Sequence, residues 1–293
     1  MNIAQETGPK ISVETLIESL DCRTGCDAQR IESLDDRKRE EVDFHNFDRE
    51  QNDEDIVAKQ IEVNVHAYKK WHKITNKSRA YVDSWIKNNS SGKIVLDYAC
   101  GIGENAIKAA RSGAALAVGL DISDVSVRIC NENAEVAGVI HNTRFVQGDC
   151  EATELPDDTF DTIICCGMLH HLDLEIAFTE LSRILKPGGR ILCVEALANN
   201  PLIQWYRNAT PKMRTEWETD HILNFSALKF SEQWFTLGEV RFWHLASIPA
   251  ALIPSQPIKN TFVSVGDTLD SAILRIPLLQ RMAWQFTFEL ICP

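Results

Sequence analysis

Basic charge is what this 293-residue chain has least to spare: 30 Lys and Arg stand against 42 Asp and Glu, a formal net charge of −12. A track for nucleic-acid phosphates needs a basic face, so DNA and RNA partners are excluded as expectations. The chain has no run of about 18 apolar residues, and no membrane insertion is expected. Its opening, MNIAQETGPK, has no apolar stretch, so no secretory leader is expected. Nine cysteines are present without metal-ligand or disulfide spacing. Only Cys22 and Cys26 are close, and no second pair with histidines follows. Cys165 and Cys193 fall in apparent buried strands, Cys100 in a glycine turn and Cys292 at the end. Reduced thiols, a cytoplasmic setting and no metal are the expectation. No internal repeat or low-complexity tract is visible. What is present is 44% hydrophobic residues, enough for a sizeable core.

Three regions follow. Residues 1–55 form a polar arm with a mixed-charge run at 32–55, either a solvated helix or a poorly ordered segment. Residues 56–92 hold two amphipathic helices, one through Ile61, Val65, Tyr68 and His72, the other through Ala80, Val82, Trp85 and Ile86. Asn88 to Gly92 end the second with loop chemistry. From residue 93 to 293 the pattern alternates strand and helix. Strands are predicted at 94–96, 116–120, 143–146, 160–165 and 190–194, with late ones at 240–248 and 284–291. Helices are predicted at 104–111, 123–137 and 174–185. Near-continuous apolar strands between helices imply a parallel sheet covered on both faces, an α/β fold. A long polar-aromatic insert follows the fifth strand, at about 199–232, and a connection this long inside a compact domain is usually functional.

The stretch K-I-V-L-D-Y-A-C-G-I-G-E-N-A from Lys93 to Ala106 is a strand ending in an acid, a turn with two glycines and a helix start. Such a turn presents backbone N–H groups to a nucleotide-like ligand. Gly101 and Gly103 fit a dinucleotide pattern, and Asp121 ends the next strand about 20 residues on, where a carboxylate accepts two ribose hydroxyls. Capping of the next helix is the competing role for Asp121. Asp97 disfavours a diphosphate, which its carboxylate would repel, and favours an ammonium or sulfonium. Asp149 after the third strand suits an adenine amine. Phe160-Asp161, Leu169-His170-His171-Leu172 and Lys186-Pro-Gly-Gly189 complete an ordered set.

With these motifs the sequence resembles the class I S-adenosylmethionine-dependent methyltransferases, near the ubiquinone/menaquinone-type branch, over roughly 93–197 and the two late strands. The resemblance implies a Rossmann-like, mostly parallel seven-stranded sheet whose last strand is antiparallel, with an N-terminal helical lid and an insert after the fifth strand. It implies S-adenosyl-L-methionine as cofactor and S-adenosyl-L-homocysteine as product. Asp97, Cys100, Gly101 and Gly103 would then cradle the methionine end and Asp121 the ribose. Ile122 would pack on the adenine, Asp149 and Cys150 would meet its edge, and Cys166 and Gly167 would line the donor. The chain departs from the family at Ala99, where glycine is common.

Methyl transfer to oxygen or nitrogen needs alignment and a base near neutrality. His171 is the first candidate, His170 the second, and Glu195 a group that would orient the acceptor. Tyr68, Trp71 and His72 from the lid, and Trp205, Tyr206 and His221 from the insert, would wall a pocket for a small-molecule acceptor. Asp220 beside His221 offers a further acid–base pair. An oxygen acceptor in specialised metabolism is favoured; carbon or nitrogen methylation, or a cyclisation or rearrangement with the cofactor held in place, are the alternatives. A homo-oligomer is compatible with the sequence.

Overall fold

The computed structural model describes residues 11–23, 34–53, 74–210 and 215–293. Its frame is a seven-stranded sheet of order β3-β2-β1-β4-β5-β7-β6. The strands are β1 (Ile94–Tyr98), β2 (Leu116–Asp121), β3 (Thr143–Gln147), β4 (Phe160–Cys166), β5 (Leu185–Ala196), β6 (Thr236–Trp243) and β7 (Gln285–Ile291). Strands β1 to β5 pair in parallel, and β7 runs antiparallel between β5 and β6. β1 and β2 are buried along their whole length, as their unbroken apolar runs require. The chain order reverses between β1 and β4, which opens a crevice at the C-terminal strand ends, where α/β sheets take their ligands.

Before the sheet lie α1 (Val13–Asp21), α2 (Asp36–Asp53) and α3 (Asn76–Ser90). Ser12 caps α1 by accepting from Thr15 N–H at 3.1 Å, and Leu16 and Leu20 are fully buried against the sheet core. That burial contributes about 2 kcal/mol per leucine. The arm expected at 1–55 therefore contributes to the core. Helix α3 buries Trp85 and Ile86 beside Val95, Ala117 and Leu192 on one sheet face, and Trp85 Nε1 donates to Glu289 Oε1 at 2.7 Å. Within the lid expected at 56–92, this second helix packs its apolar stripe on the face of the sheet, while the first, through Tyr68 and His72, lies outside the described residues.

Further helices are α4 (Glu104–Arg111), α5 (Asp124–Ala137), α6 (Leu174–Ile184), α7 (Pro201–Ala209), α8 (Glu216–His221), α9 (Phe225–Ser231) and, before a single turn at Pro277–Gln280, α10 (Gln256–Ile273). The last was not expected from the sequence. Its Asp270 carboxylate accepts from the N–H groups of Leu245, Ala246 and Ser247. Gly266 lets its backbone approach Ser247, whose Cα would lie 2.6 Å from an added Cβ.

Candidate ligand crevice and histidine pair

Three carboxylates stand at or just beyond the ends of neighbouring strands β1, β2 and β3. Asp97 is 1% exposed; its Oδ2 accepts from Ala106 N–H at 3.0 Å and its Oδ1 from Asn105 Nδ2 at 3.4 Å. Burial outweighs these bonds and pushes its pKa up to about 7. No ion pair reaches it among the described residues. Asp121 accepts from Gly101 N–H at 2.8 Å through Oδ2 and from Ser123 N–H at 3.0 Å through Oδ1. Each oxygen keeps a lone pair for a hydroxyl. Asp149 Oδ1 accepts from Glu151 N–H at 2.8 Å.

The turn between β1 and α4 is left-handed at three places. Gly101 has φ of 58° and Gly103, the cap of α4, 79°; a Cβ on Gly103 would stand 3.0 Å from Cys130 Sγ and from the Phe145 ring. Ala99 has φ of 56°, so the residue that departs from the family's glycine adopts a conformation that glycine takes without strain. Cys100 directs its thiol to Cys130, 3.8 Å away, while its N–H donates to the Leu120 carbonyl and its carbonyl accepts from Gly103 N–H, each at 2.9 Å. The Cys150 carbonyl accepts from the Tyr98 hydroxyl and its side chain is buried. Ile122 is half-buried beyond β2, and Cys166 and Gly167 end β4, with Cys166 exposed.

Helix α2, inside the segment read as a polar arm, crosses this edge. Arg37 forms a two-pronged pair with Glu151 at 2.8 and 2.7 Å, and Lys38 Nζ lies 2.6 Å from Asp149 and 2.8 Å from Glu151. Asn46 bonds Ser123 and Asp124, and Arg49 Nη1 lies 3.9 Å from Asp121. The cations of α2 therefore sit on two of the acids assigned to the adenosine. The sequence signal was present in the spacing of Arg37, Lys38 and Arg49 across a charged helix, but charges alone name no partner.

The histidines occupy a short turn at Leu169–His171, reached by α8. His170 Nδ1 lies 2.7 Å from Glu195 Oε2. Burial disfavours the charged imidazole, but the Glu195 carboxylate outweighs it and raises the pKa. Glu195 is 1% exposed, and its Oε1 accepts from the N–H groups of Met168 and Leu169 at 2.9 and 2.8 Å. Its expected contact with the acceptor is corrected: both oxygens are engaged, and it acts on His170 and the turn. His171 Nδ1 faces Glu41 Oε2 of α2 at 3.0 Å.

Two pocket expectations are also corrected. Trp205 on α7 is 71% exposed. His221 is exposed and stacks on Trp217 at 3.7 Å, with Nδ1 on the Trp217 carbonyl at 2.8 Å, so it and the exposed Asp220 do not line the crevice. Trp217 instead comes into play, with the Arg37 guanidinium 4.6 Å above its ring. Tyr68, Trp71 and His72 lie outside the described residues, as does the side chain of Tyr206.

A parallel sheet of this order, a glycine turn after β1 and acids at the ends of β1, β2 and β3 define the nucleoside-binding architecture of class I methyltransferases. Residues 95–189 match the family model described as a methyltransferase domain. Over that domain the chain is similar to class I S-adenosylmethionine-dependent methyltransferases of the ubiquinone/menaquinone type. It is 36% identical over 108 residues to the ubiquinone/menaquinone biosynthesis C-methyltransferase UbiE of Marinomonas sp. (strain MWYL1), a match covering 36% of this chain and 43% of that one. It is 34% identical over 124 residues to the sterol 24-C-methyltransferase erg6 of Aspergillus fumigatus, covering 42% and 32%. The chain thus spans less than half the length of these curated relatives. Magnesium protoporphyrin IX methyltransferase (ChlM) from Synechocystis PCC 6803 shares the fold, with a TM-score of 0.56 at 17% identity over 88% of this chain and all of that one. The [4+2]-cyclase SpnF also shares it, with a TM-score of 0.51 at 19% identity over 73% and 80%.

Proposed function

We propose that the chain binds S-adenosyl-L-methionine in the crevice at the ends of β1 to β3 and methylates a hydroxyl-bearing small molecule. The observation that carries this reading is Asp97, a buried carboxylate without a cationic partner among the described residues, placed between a glycine turn and two further acids. The donor set suits the cofactor: Asp97 for the ammonium or sulfonium, Asp121 for the ribose hydroxyls, and Asp149 for the adenine amine once Lys38 yields it. Bound S-adenosyl-L-methionine supplies a methyl group already activated on sulfur.

His170, rather than His171, is the better base. Glu195 holds its Nδ1 proton, fixing tautomer and ring orientation, and leaves Nε2, which Glu218 Oε1 approaches to 3.9 Å, to take a proton from the acceptor. His171 is engaged with α2 instead. Deprotonating an enol or phenol prepares either its oxygen or the conjugated carbon for methylation. The curated relatives are C-methyltransferases by name, which favours carbon over the oxygen expected from the sequence. The described cysteines are all free thiols and no described helix is long and apolar enough to cross a membrane; both accord with a cytoplasmic setting.

Incubation with methyl-¹³C-labelled cofactor and a panel of phenols and enols tests the reading. It expects S-adenosyl-L-homocysteine and a product heavier by one labelled methyl, at a carbon shift for C-methylation. Turnover without label in the product overturns methyl transfer and favours a cyclisation.

A further inference from the structure

Helix α2 brings two metal-ligating side chains one turn apart, Glu41 and His45, against His171 of the turn after β4. Glu41 Oε2 lies 3.0 Å from His171 Nδ1 and 3.6 Å from His45 Nε2. The three ligand atoms lie within 4.8 Å of one another. Ligand atoms bound to one ion at 2.0–2.2 Å in a tetrahedral arrangement stand about 3.3–3.6 Å apart, close to the two separations observed.

The second observation is an unsatisfied oxygen. Glu41 is 6% exposed, and its Oε2 faces His171 Nδ1 at 3.0 Å with neither atom in a hydrogen bond of regular geometry. Among the described residues the charges facing this buried oxygen are the imidazoles of His171 and His45, so a cation held between the carboxylate and both rings would satisfy all three. Its other oxygen is held: Thr215 Oγ1 donates to Glu41 Oε1 at 2.6 Å, which aims Oε2 at the imidazoles. Arg37, one turn earlier on the same helix, donates to the His171 carbonyl at 2.9 Å and fixes the second ligand's backbone to the first. Such outer contacts are what orients metal ligands. His45 is the most exposed of the three and leaves one side open for water or a fourth ligand.

From this geometry we propose that Glu41, His45 and His171 bind one divalent first-row transition-metal ion of the zinc type. Two imidazoles and one carboxylate, without sulfur, match zinc, cobalt or iron(II), and disfavour calcium and magnesium, which take oxygen ligands. The ion ties α2 to the loop after β4, and so couples the helix lying over the crevice to the turn that carries His170. The neighbouring grouping of His170, His171 and Glu218 is a weaker site, because His170 is already oriented by Glu195. The proposal does not depend on the methyl-transfer reading.

Co²⁺ is the probe, added to chelator-treated, tag-free full-length chain and followed by equilibrium dialysis and visible absorption. The expected result is one Co²⁺ per chain with ligand-field bands, no thiolate charge-transfer band, and a higher unfolding temperature. His45→Ala and His171→Ala each weaken binding by at least about tenfold, and Thr215→Val by about tenfold, the scale of an outer-shell loss. His221→Ala, exposed and outside the three-residue cluster, leaves binding unchanged. His45→Ala decides the matter if His171→Ala misfolds, since His45 lies on the open side of the cluster. No stoichiometric binding, binding unchanged in His45→Ala, or a thiolate band overturns the proposal.

Discussion

Asp97→Asn removes the charge that the account places against the cofactor, and its effect is calculable. In the ligand-free fold burial lifts this carboxyl from 3.8 to about 7. A cationic ligand needs the ionised form, so the apparent dissociation constant scales as 1 + 10^(pKa − pH). Between pH 8 and pH 6 that factor rises from about 1.1 to about 11, a roughly tenfold loss of affinity. Stability moves the other way. Between roughly pH 4 and 7 the folded chain keeps a proton that the unfolded chain has lost, so the cost of burying the charge is absent below that window and complete above it. Three pKa units correspond to about 4 kcal/mol, which Asn avoids at pH 8. Calorimetric titration with S-adenosyl-L-methionine at pH 6, 7 and 8, paired with denaturant unfolding, reads both. Wild type weakens about tenfold toward pH 6, while Asp97→Asn binds weakly at every pH and unfolds at higher denaturant. A wild-type affinity flat across the range, or the same slope in Asp97→Asn, refutes the reasoning.

Three more outcomes follow from the same structure. Ala99→Gly relieves a left-handed alanine and raises stability by about 0.5–1 kcal/mol in denaturant unfolding, after the entropy lost to glycine. Glu151→Gln removes the charge that Arg37 and Lys38 share, so residues 36–53 exchange their amide hydrogens faster while β1 to β5 do not. Glu195→Gln keeps an oxygen for Met168 and Leu169 but lowers the His170 pKa; the acidic limb of the rate profile moves to lower pH and kcat falls about 10²-fold or more.

The frame was legible because each of its parts is local. A buried apolar run, a turn demanding positive φ and a helix start lie within fourteen residues of one another, and β1 and α4 follow from them directly. Motifs that identify the family are not all ligand contacts: Asp161 accepts from Ile94 N–H at 2.9 Å and pairs with Lys186 at 2.9 Å, a tie between strands. Helix α2 was not legible as a cover. Phe47 is exposed and Val42 is buried, so apolar periodicity is nearly absent, and its anchors are ion pairs to residues 111 and 114 positions away. The same holds for Glu195, whose position at a strand end pointed to an acceptor. Only the fold shows that two N–H groups and an imidazole claim it.

The central claim is that three acids hold one sulfonium-bearing adenosine. A crystal structure of the chain with S-adenosyl-L-homocysteine, which keeps the ammonium, ribose and adenine, tests it most directly. The account predicts the ribose hydroxyls on Asp121, the adenine amine on Asp149 with Lys38 displaced, and the ammonium against Asp97. A ligand bound elsewhere, or one seated in the crevice with Lys38 still on Asp149 and Asp97 untouched, contradicts it.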